Sequence, residues 1–273
     1  MPAARLYKDA IMGTTRHLLP WFATRSWYGP WFGAWFWTQS RQVLLAAMLA
    51  LLATACTTAQ TRVAKVLPER PAAGSGILVL QPDIELSLLT ASSLTEPNSQ
   101  WSNDAAANIR ASLKAALETR QHRFILVDPN QIISGRANQV LRLHEAVATS
   151  ILAFNYGLET LPTRRSNDFN WTLGPGALEL ARLEADGTGA KYALITVGRG
   201  TYASGGRWAM AIVGTALGAN VPMGGQQVYA SLVELSTGNV VWFNLAIAGP
   251  QDDMRTNGGA TALVTSLLKD VPL

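Results

Sequence analysis

The chain has 273 residues, of which 48% are hydrophobic, so it is long and apolar enough for one or two domains with a sizeable core. Its formal net charge is +4, but residues 1–55 hold five Lys or Arg and one acid. Subtracting these from 22 basic and 18 acidic residues leaves 17 of each in the remainder. A body without net charge lacks the basic face that nucleic-acid binding requires, so we discount that class of function.

The segment before Cys56 has the pattern of a leader with a signal peptide. Residues 43–54 form a run of 12 residues without charge, preceded by Arg41 and followed by small residues. A membrane-spanning helix needs about 20 apolar residues. A shorter apolar run with positive charge before it is typical of a signal-peptide core. Five of the nine tryptophans also lie between Trp21 and Trp37. We therefore predict a leader over residues 1–55.

Cys56 is the only cysteine and stands directly after this run. Ala53-Thr54-Ala55-Cys56 resembles the lipobox of bacterial lipoproteins, in which the cysteine is lipidated and becomes the mature N-terminus. Ala53-Thr54-Ala55 is also an A-x-A site for ordinary secretory cleavage, which would leave a soluble periplasmic protein. We favour lipidation, with membrane attachment through Cys56, because it gives the single cysteine a role. In Gram-negative lipoproteins a residue other than Asp at the next position, here Thr57, implies sorting to the outer membrane.

The rest of the chain is predicted as a flexible tether over residues 56–76 and one domain over residues 77–273. The tether segment is rich in Pro, Gly and Ala after residue 67 and lacks aromatic residues, a composition that breaks regular structure. Beyond it, strands first alternate with helices and the chain then ends in a hairpin and a helix. This order predicts an α/β (α+β) fold with a single mixed sheet of about five strands, helices packed on it, and a C-terminal hairpin plus helix.

The individual elements follow from apolar spacing and turn residues. Strands are expected at residues 77–80, 124–127, 192–197, 228–235 and 240–247, and IELSLL after Pro82 can continue the first of them. Helices are expected at residues 102–118, 137–154, 177–185 and 260–269. We expect Ser102, Asn103 or Asp104 to cap the first helix and Asp252-Asp253 to cap the last. Residues 236–239 form a tight turn, with Gly238 able to take positive φ.

Residues 207–222 allow two interpretations. The stretch RWAMAIVGTALG is apolar on every side and contains two glycines. One interpretation is a helix packed over the sheet. The other is an exposed apolar element that docks on a partner protein or a bilayer surface. Its contact residues would be Trp208, Met210, Ile212, Val213 and Leu217.

The stretches AKYALITV and QVYASLVELSTGNVVWFN, in this order of elements, resemble a group of periplasmic lipoprotein domains. The group includes the curli-secretion channel family (CsgG), the amino-terminal domain of TolB and the LpoB-type regulators of peptidoglycan synthases. In that group a hairpin, often with a Thr-Gly turn, leads to a strand with an exposed or half-buried Trp. Thr237, Gly238 and Trp242 match this pattern.

The resemblance implies an envelope protein that binds other proteins and is not an enzyme. Such a protein would support envelope assembly or regulate a partner. An oligomeric channel component of a secretion system is the alternative. The channel family adds two membrane hairpins, and this sequence shows no pair of long segments with alternating polarity to form them.

Residues that carry chemistry do not assemble into a known motif. Of the three histidines, His17 lies in the leader, and His144-Glu145 lacks the second histidine of the zinc-protease motif. We expect His122 and His144 on solvated helix faces. Gly198-Arg199-Gly200 and Gly205-Gly206 lack the full phosphate-loop pattern, and we expect flexible loops there. We therefore predict no catalytic, cofactor-binding or metal-binding residue and no small-molecule substrate. A hydrolase with an unusual site is the third alternative.

Overall fold

A computed structural model describes residues 58–63, 71, 74–120, 122–127, 134–157, 159–163, 168–183, 189–249 and 252–273. The predicted leader and Cys56 lie outside these residues. The strands in chain order are β1 (Thr58–Val63), β2 (Gly76–Val79), β3 (Asp83–Leu89), β4 (Thr95–Pro97), β5 (Arg123–Leu126), β6 (Tyr192–Ala203), β7 (Gly224–Glu234) and β8 (Val240–Ile247). The α-helices are α1 (Ser99–Glu118), α2 (Arg136–Ile151), α3 (Gly205–Ala216) and α4 (Asn257–Leu267). A π-helix (Leu152–Tyr156) continues α2, and a 3-10 helix (Pro175–Leu183) precedes β6.

One mixed sheet contains all eight described strands. Six of them lie side by side in the order β1-β8-β7-β6-β2-β5, and β3 and β4 lie off this path. Pairing is antiparallel from β1 through β8 and β7 to β6, and it is parallel from β6 through β2 to β5. Strand β3 also pairs in parallel with β6, beyond the part that pairs with β2, and β4 is antiparallel to β3. The mixed sheet with helices packed on it confirms the predicted fold class.

The sheet separates two apolar cores. On one face, Ile109, Leu113 and Leu117 of α1 are buried together with Leu263 and Leu267 of α4. On the other face, residues of α2 and of the 3-10 helix pack over the odd-numbered residues of β6. Both faces of the central strands are therefore covered, which is why their sequences are apolar runs rather than alternating patterns.

The sheet has three more described strands than the five that we predicted. Strand β1 occupies Thr58–Val63, inside the segment predicted as a flexible tether, and pairs along its whole length with β8. Strand β3 contains the IELSLL segment that we expected could continue the first strand, but it starts at Asp83 as a strand of its own, and β4 follows it. All three additional strands lie at or near an edge of the sheet. One side of such a strand can stay polar, so its sequence does not need a continuous apolar run.

Helix boundaries also differ in part from the predictions. The first helix begins three residues earlier, and its cap is Asn98, whose side chain accepts a hydrogen bond from the Trp101 amide at 3.0 Å. The last helix is capped by Thr256, not by Asp252-Asp253. The Asp253 carboxylate instead pairs with the Arg255 guanidinium at 2.8 Å. Asp253 is half-buried, and a carboxylate in that position two residues from an arginine is better satisfied by that charge than by a helix end.

Candidate interaction surface

Helix α3 presents its large apolar side chains to solvent. Only Arg207 is buried in it, while Ala211 and Gly214 are half-buried. At 3.6 residues per turn, these three share one face. The large side chains lie on the remaining arc and have exposed fractions of 58% for Trp208, 48% for Met210, 68% for Ile212, 60% for Val213 and 80% for Leu217. We name these five side chains the α3 surface. A surface helix usually has the reverse arrangement, with its apolar stripe toward the core.

The buried guanidinium of Arg207 attaches α3 to the rest of the domain. Its Nε donates to the carbonyl oxygen of Pro222 at 2.6 Å, and its Nη1 donates to Ser93 Oγ at 2.9 Å and to the Thr90 carbonyl oxygen at 3.3 Å. These acceptors lie on the segment after α3 and on the loop between β3 and β4. A charged side chain thus takes the position that an apolar residue would occupy in an ordinary packed helix.

Both ends of α3 are closed by local hydrogen bonds. Ser204 caps the start, where its hydroxyl oxygen accepts a hydrogen bond from the Arg207 amide at 3.2 Å. At the other end the amide of Gly218 donates to Thr215 O at 3.0 Å and that of Ala219 donates to Gly214 O at 2.8 Å. Gly218 has a φ of +78°, the left-handed conformation that this Schellman ending needs. The ending turns the chain back toward β7.

Charge is absent from the whole of this region. No Asp, Glu, Lys, Arg or His occurs from Trp208 to Val233. The five residues of the α3 surface are the contact residues predicted from the sequence, and all of them are exposed in the structure. The alternative of a helix packed over the sheet is wrong, because Arg207 is the only buried residue of α3. The sequence could not decide this, since an all-round apolar helix fits a core as well as an interface.

A separate cleft of about 290 Å³ lies between α2 and β6 and is bordered by polar groups that include His144, Glu145 and Asp83. His144 is 2% exposed, and its Nε2 lies 2.8 Å from Ser231 Oγ. Burial lowers the pKa of His144 to about 4, so this imidazole is neutral at pH 7. The prediction of a solvated helix face was wrong for His144, because its side chain faces the sheet at a point where β7 supplies a hydroxyl partner.

Two other sequence predictions are corrected in the same region. Gly198-Arg199-Gly200 is part of strand β6, not a loop. A Cβ at Gly198 would lie 2.6 Å from Ile84 Cδ1, and one at Gly200 would lie 2.8 Å from Leu86 Cδ2, so both glycines leave space for side chains of β3. Gly205 and Gly206 begin helix α3 and do not form a loop either.

Trp242 also differs from what the family resemblance implied. Its side chain has no exposed surface and lies in the core beneath α4. The Thr-Gly turn itself is present, with Gly238 at a φ of +74°. Gly238 and Trp242 are both buried and therefore shape the hairpin and the core, while Thr237 lies exposed at the turn.

Within the described ranges, no group of three or more His, Cys, Asp or Glu side chains is placed to hold a metal ion. In the part of the chain that the structure describes, no helix has the length and hydropathy to cross a membrane.

Comparison with known proteins finds no matching family model and no matching curated protein. Among solved structures, the PelC dodecamer from Paraburkholderia phytofirmans in space group P6 is similar, with 15% sequence identity and a TM-score of 0.34. That match covers 78% of this chain and 94% of the PelC chain. A singly substituted PelC dodecamer from the same organism in space group C2 has 16% identity and a TM-score of 0.34, over 78% and 95% of the two chains.

Proposed function

We propose that this chain is a non-enzymatic, lipid-anchored protein of the cell envelope, which supports envelope assembly or regulates a partner by contact. The observation that carries this proposal is the α3 surface. Contiguous exposed apolar patches on folded domains mark places where a protein or a membrane docks. Here four large apolar side chains lie on one short helix and a fifth, Leu217, is its C-cap residue, and their exposed fractions run from 48% to 80%.

The anchor in this proposal is a lipid on Cys56. The support for it comes from the sequence, where the single cysteine follows a charge-free run and the small residues Ala53 and Ala55. With Thr57 next in the chain, the lipoprotein resemblance implies an outer-membrane protein that faces the periplasm. Cleavage at the A-x-A site without lipidation would instead give a soluble periplasmic protein.

The test is metabolic labelling with palmitate in Gram-negative cells that express the full chain. The wild-type protein is expected to take up label, and Cys56→Ala is expected to lose all of it. Thr57→Asp is the matched variant, because it changes the neighbouring residue and keeps the thiol. It should stay labelled, and the resemblance implies that it moves to the inner-membrane fraction. A wild-type protein without label would refute the anchor.

A further inference from the structure

The apolar arc of α3 is too wide for a helix that docks into a protein groove with one face. Such helices use a stripe of residues at i, i+3, i+4 and i+7, which covers about 100° of the circumference. With 100° between successive residues, the arc from Trp208 through Val213 to Met210 covers roughly 200°. Thr215 is the only polar side chain at its border. A hydrocarbon phase can surround an arc of this width, whereas a flat protein interface leaves part of it in water.

The absence of charge on α3 indicates a contact with the apolar part of the bilayer and not with anionic headgroups. Helices that bind anionic membrane surfaces carry Lys and Arg on their polar face. Helix α3 has one arginine, and Arg207 is buried and turned toward Pro222. The attraction would therefore come from apolar area alone and would not depend on anionic lipid. Charged groups are costly inside a bilayer, and the α3 surface has none.

The size and ends of α3 suit a single leaflet. Twelve residues at 1.5 Å each give a helix of about 18 Å. Half of a hydrocarbon core of roughly 30 Å is about 15 Å. At the outer end, the amides of Gly218 and Ala219 donate back into the last helical turn. These bonds lower the cost of placing that end out of water, because unpaired backbone groups are unfavourable in lipid.

The register of the sheet brings the start of β1 to the end of the sheet from which α3 projects. Thr58 pairs with Ile247, and Ile247 pairs with Gln227, which lies three residues after Gly224 at the start of β7. Neighbouring strands lie about 4.8 Å apart and a strand rises about 3.4 Å per residue. Thr58 and Gly224 are therefore roughly 15 Å apart by this geometry. Cys56 is two residues before Thr58, a reach of at most about 7 Å.

We propose that α3 inserts into the same membrane leaflet that receives the lipid of Cys56, so that the domain is held on the bilayer at two points. This inference rests on the proposed function, because it takes the lipid anchor as the first point. The second point fixes the orientation of the domain, with the β1 start and the α3 surface toward the membrane. The turn between β7 and β8, at Gly238, lies at the opposite end of these strands.

The experiment measures the depth of α3 in a bilayer with a fluorescent label. Ile212→Cys is made in the full chain with Cys56→Ala, so that the introduced thiol is the single cysteine. The cysteine is labelled with an environment-sensitive NBD fluorophore. The protein is mixed with phosphatidylcholine vesicles, with or without bromine on the acyl chains, and the vesicles are recovered by flotation. Leu178→Cys is the matched control, because Leu178 is 54% exposed and lies on the 3-10 helix near Gly238.

The label at residue 212 is expected to shift to shorter wavelength on vesicle binding and to lose most of its emission to acyl-chain bromine. The label at residue 178 is expected to show neither change. The inference would be overturned if the chain failed to float or if both labels were quenched equally. It would also be overturned if the label at residue 212 were not quenched, a result that would indicate a protein partner instead. Palmitate on Cys56 is measured separately in the wild-type chain, so the proposed anchor and this insertion can fail independently.

Discussion

Arg207→Ala removes the side chain that attaches α3 to the domain. The wild-type guanidinium makes hydrogen bonds of 2.6 Å to Pro222 O and 2.9 Å to Ser93 Oγ, and a longer one of 3.3 Å to Thr90 O. Neither apolar core contains a residue of α3. We therefore expect the helix to open locally while the sheet and its two cores stay folded.

The size of the effect follows from these three bonds. A hydrogen bond to a charged group contributes roughly 1.5–3 kcal/mol. Pro222 and Ser93 are exposed, so water can replace part of the interaction, and the 3.3 Å bond is long. Taking the lower value for the two short bonds gives a loss of about 3 kcal/mol, or roughly a hundredfold more frequent opening of α3.

Amide hydrogen exchange with peptide-level detection measures this opening. Exchange in residues 205–218 should become roughly a hundredfold faster in Arg207→Ala, while exchange in β6 and β7 stays near the wild-type rate. The control is Arg182→Ala, which removes an exposed ion pair to Glu179 and should cost no more than about 1 kcal/mol. Unchanged protection of α3 in Arg207→Ala would refute the conclusion that this side chain holds the helix.

Two further predictions concern the folded domain. Burial lowers the pKa of His144 to about 4, below its ordinary value near 6.5, so the unfolded chain binds the proton first and stability falls as the pH drops from 6.5 toward 4. Urea denaturation across this range should show a loss on the order of 3 kcal/mol in the wild type and a flatter curve in His144→Gln, which does not titrate. The second prediction uses two glycines with similar positive φ. Gly238→Ala would bring a Cβ against Gly174 O and should cost more than about 3 kcal/mol, whereas Gly218→Ala meets open space and should cost about 1 kcal/mol. Equal losses in thermal denaturation would contradict this difference.

The elements that were predicted correctly are the ones specified by local pattern. The β7–β8 hairpin follows from two apolar runs around Gly238, and α1 follows from apolar residues at helical spacing such as Ile109 and Leu113. In both cases the side chains that define the element are neighbours along the chain. The buried residues of α1 have the helical spacing seen in the sequence, and the apolar runs of β7 and β8 are buried as continuous runs.

The features that were missed depend on partners far along the chain. Strand β1 gains its hydrogen bonds from β8, whose residues lie about 180 positions later, and its sequence TAQTRV has no apolar run of its own. His144 is buried because Ser231 of β7 lies opposite it. A polar residue on a helix is expected in water unless the fold supplies a hydrogen-bond partner, and that partner cannot be read from the residues around it.

The sequence by itself determined that residues 208–217 are apolar on every side and that a single cysteine follows a charge-free run. Only the tertiary structure decided that the α3 surface is exposed. An apolar helix is stable in a core or against another apolar phase, and the choice depends on whether a further layer covers it. No described element does so at the end of β6 and β7. The tertiary structure also decided that the start of β1 lies at this same end of the sheet as α3. The register of β1 is set by its pairing with β8 and not by its local sequence.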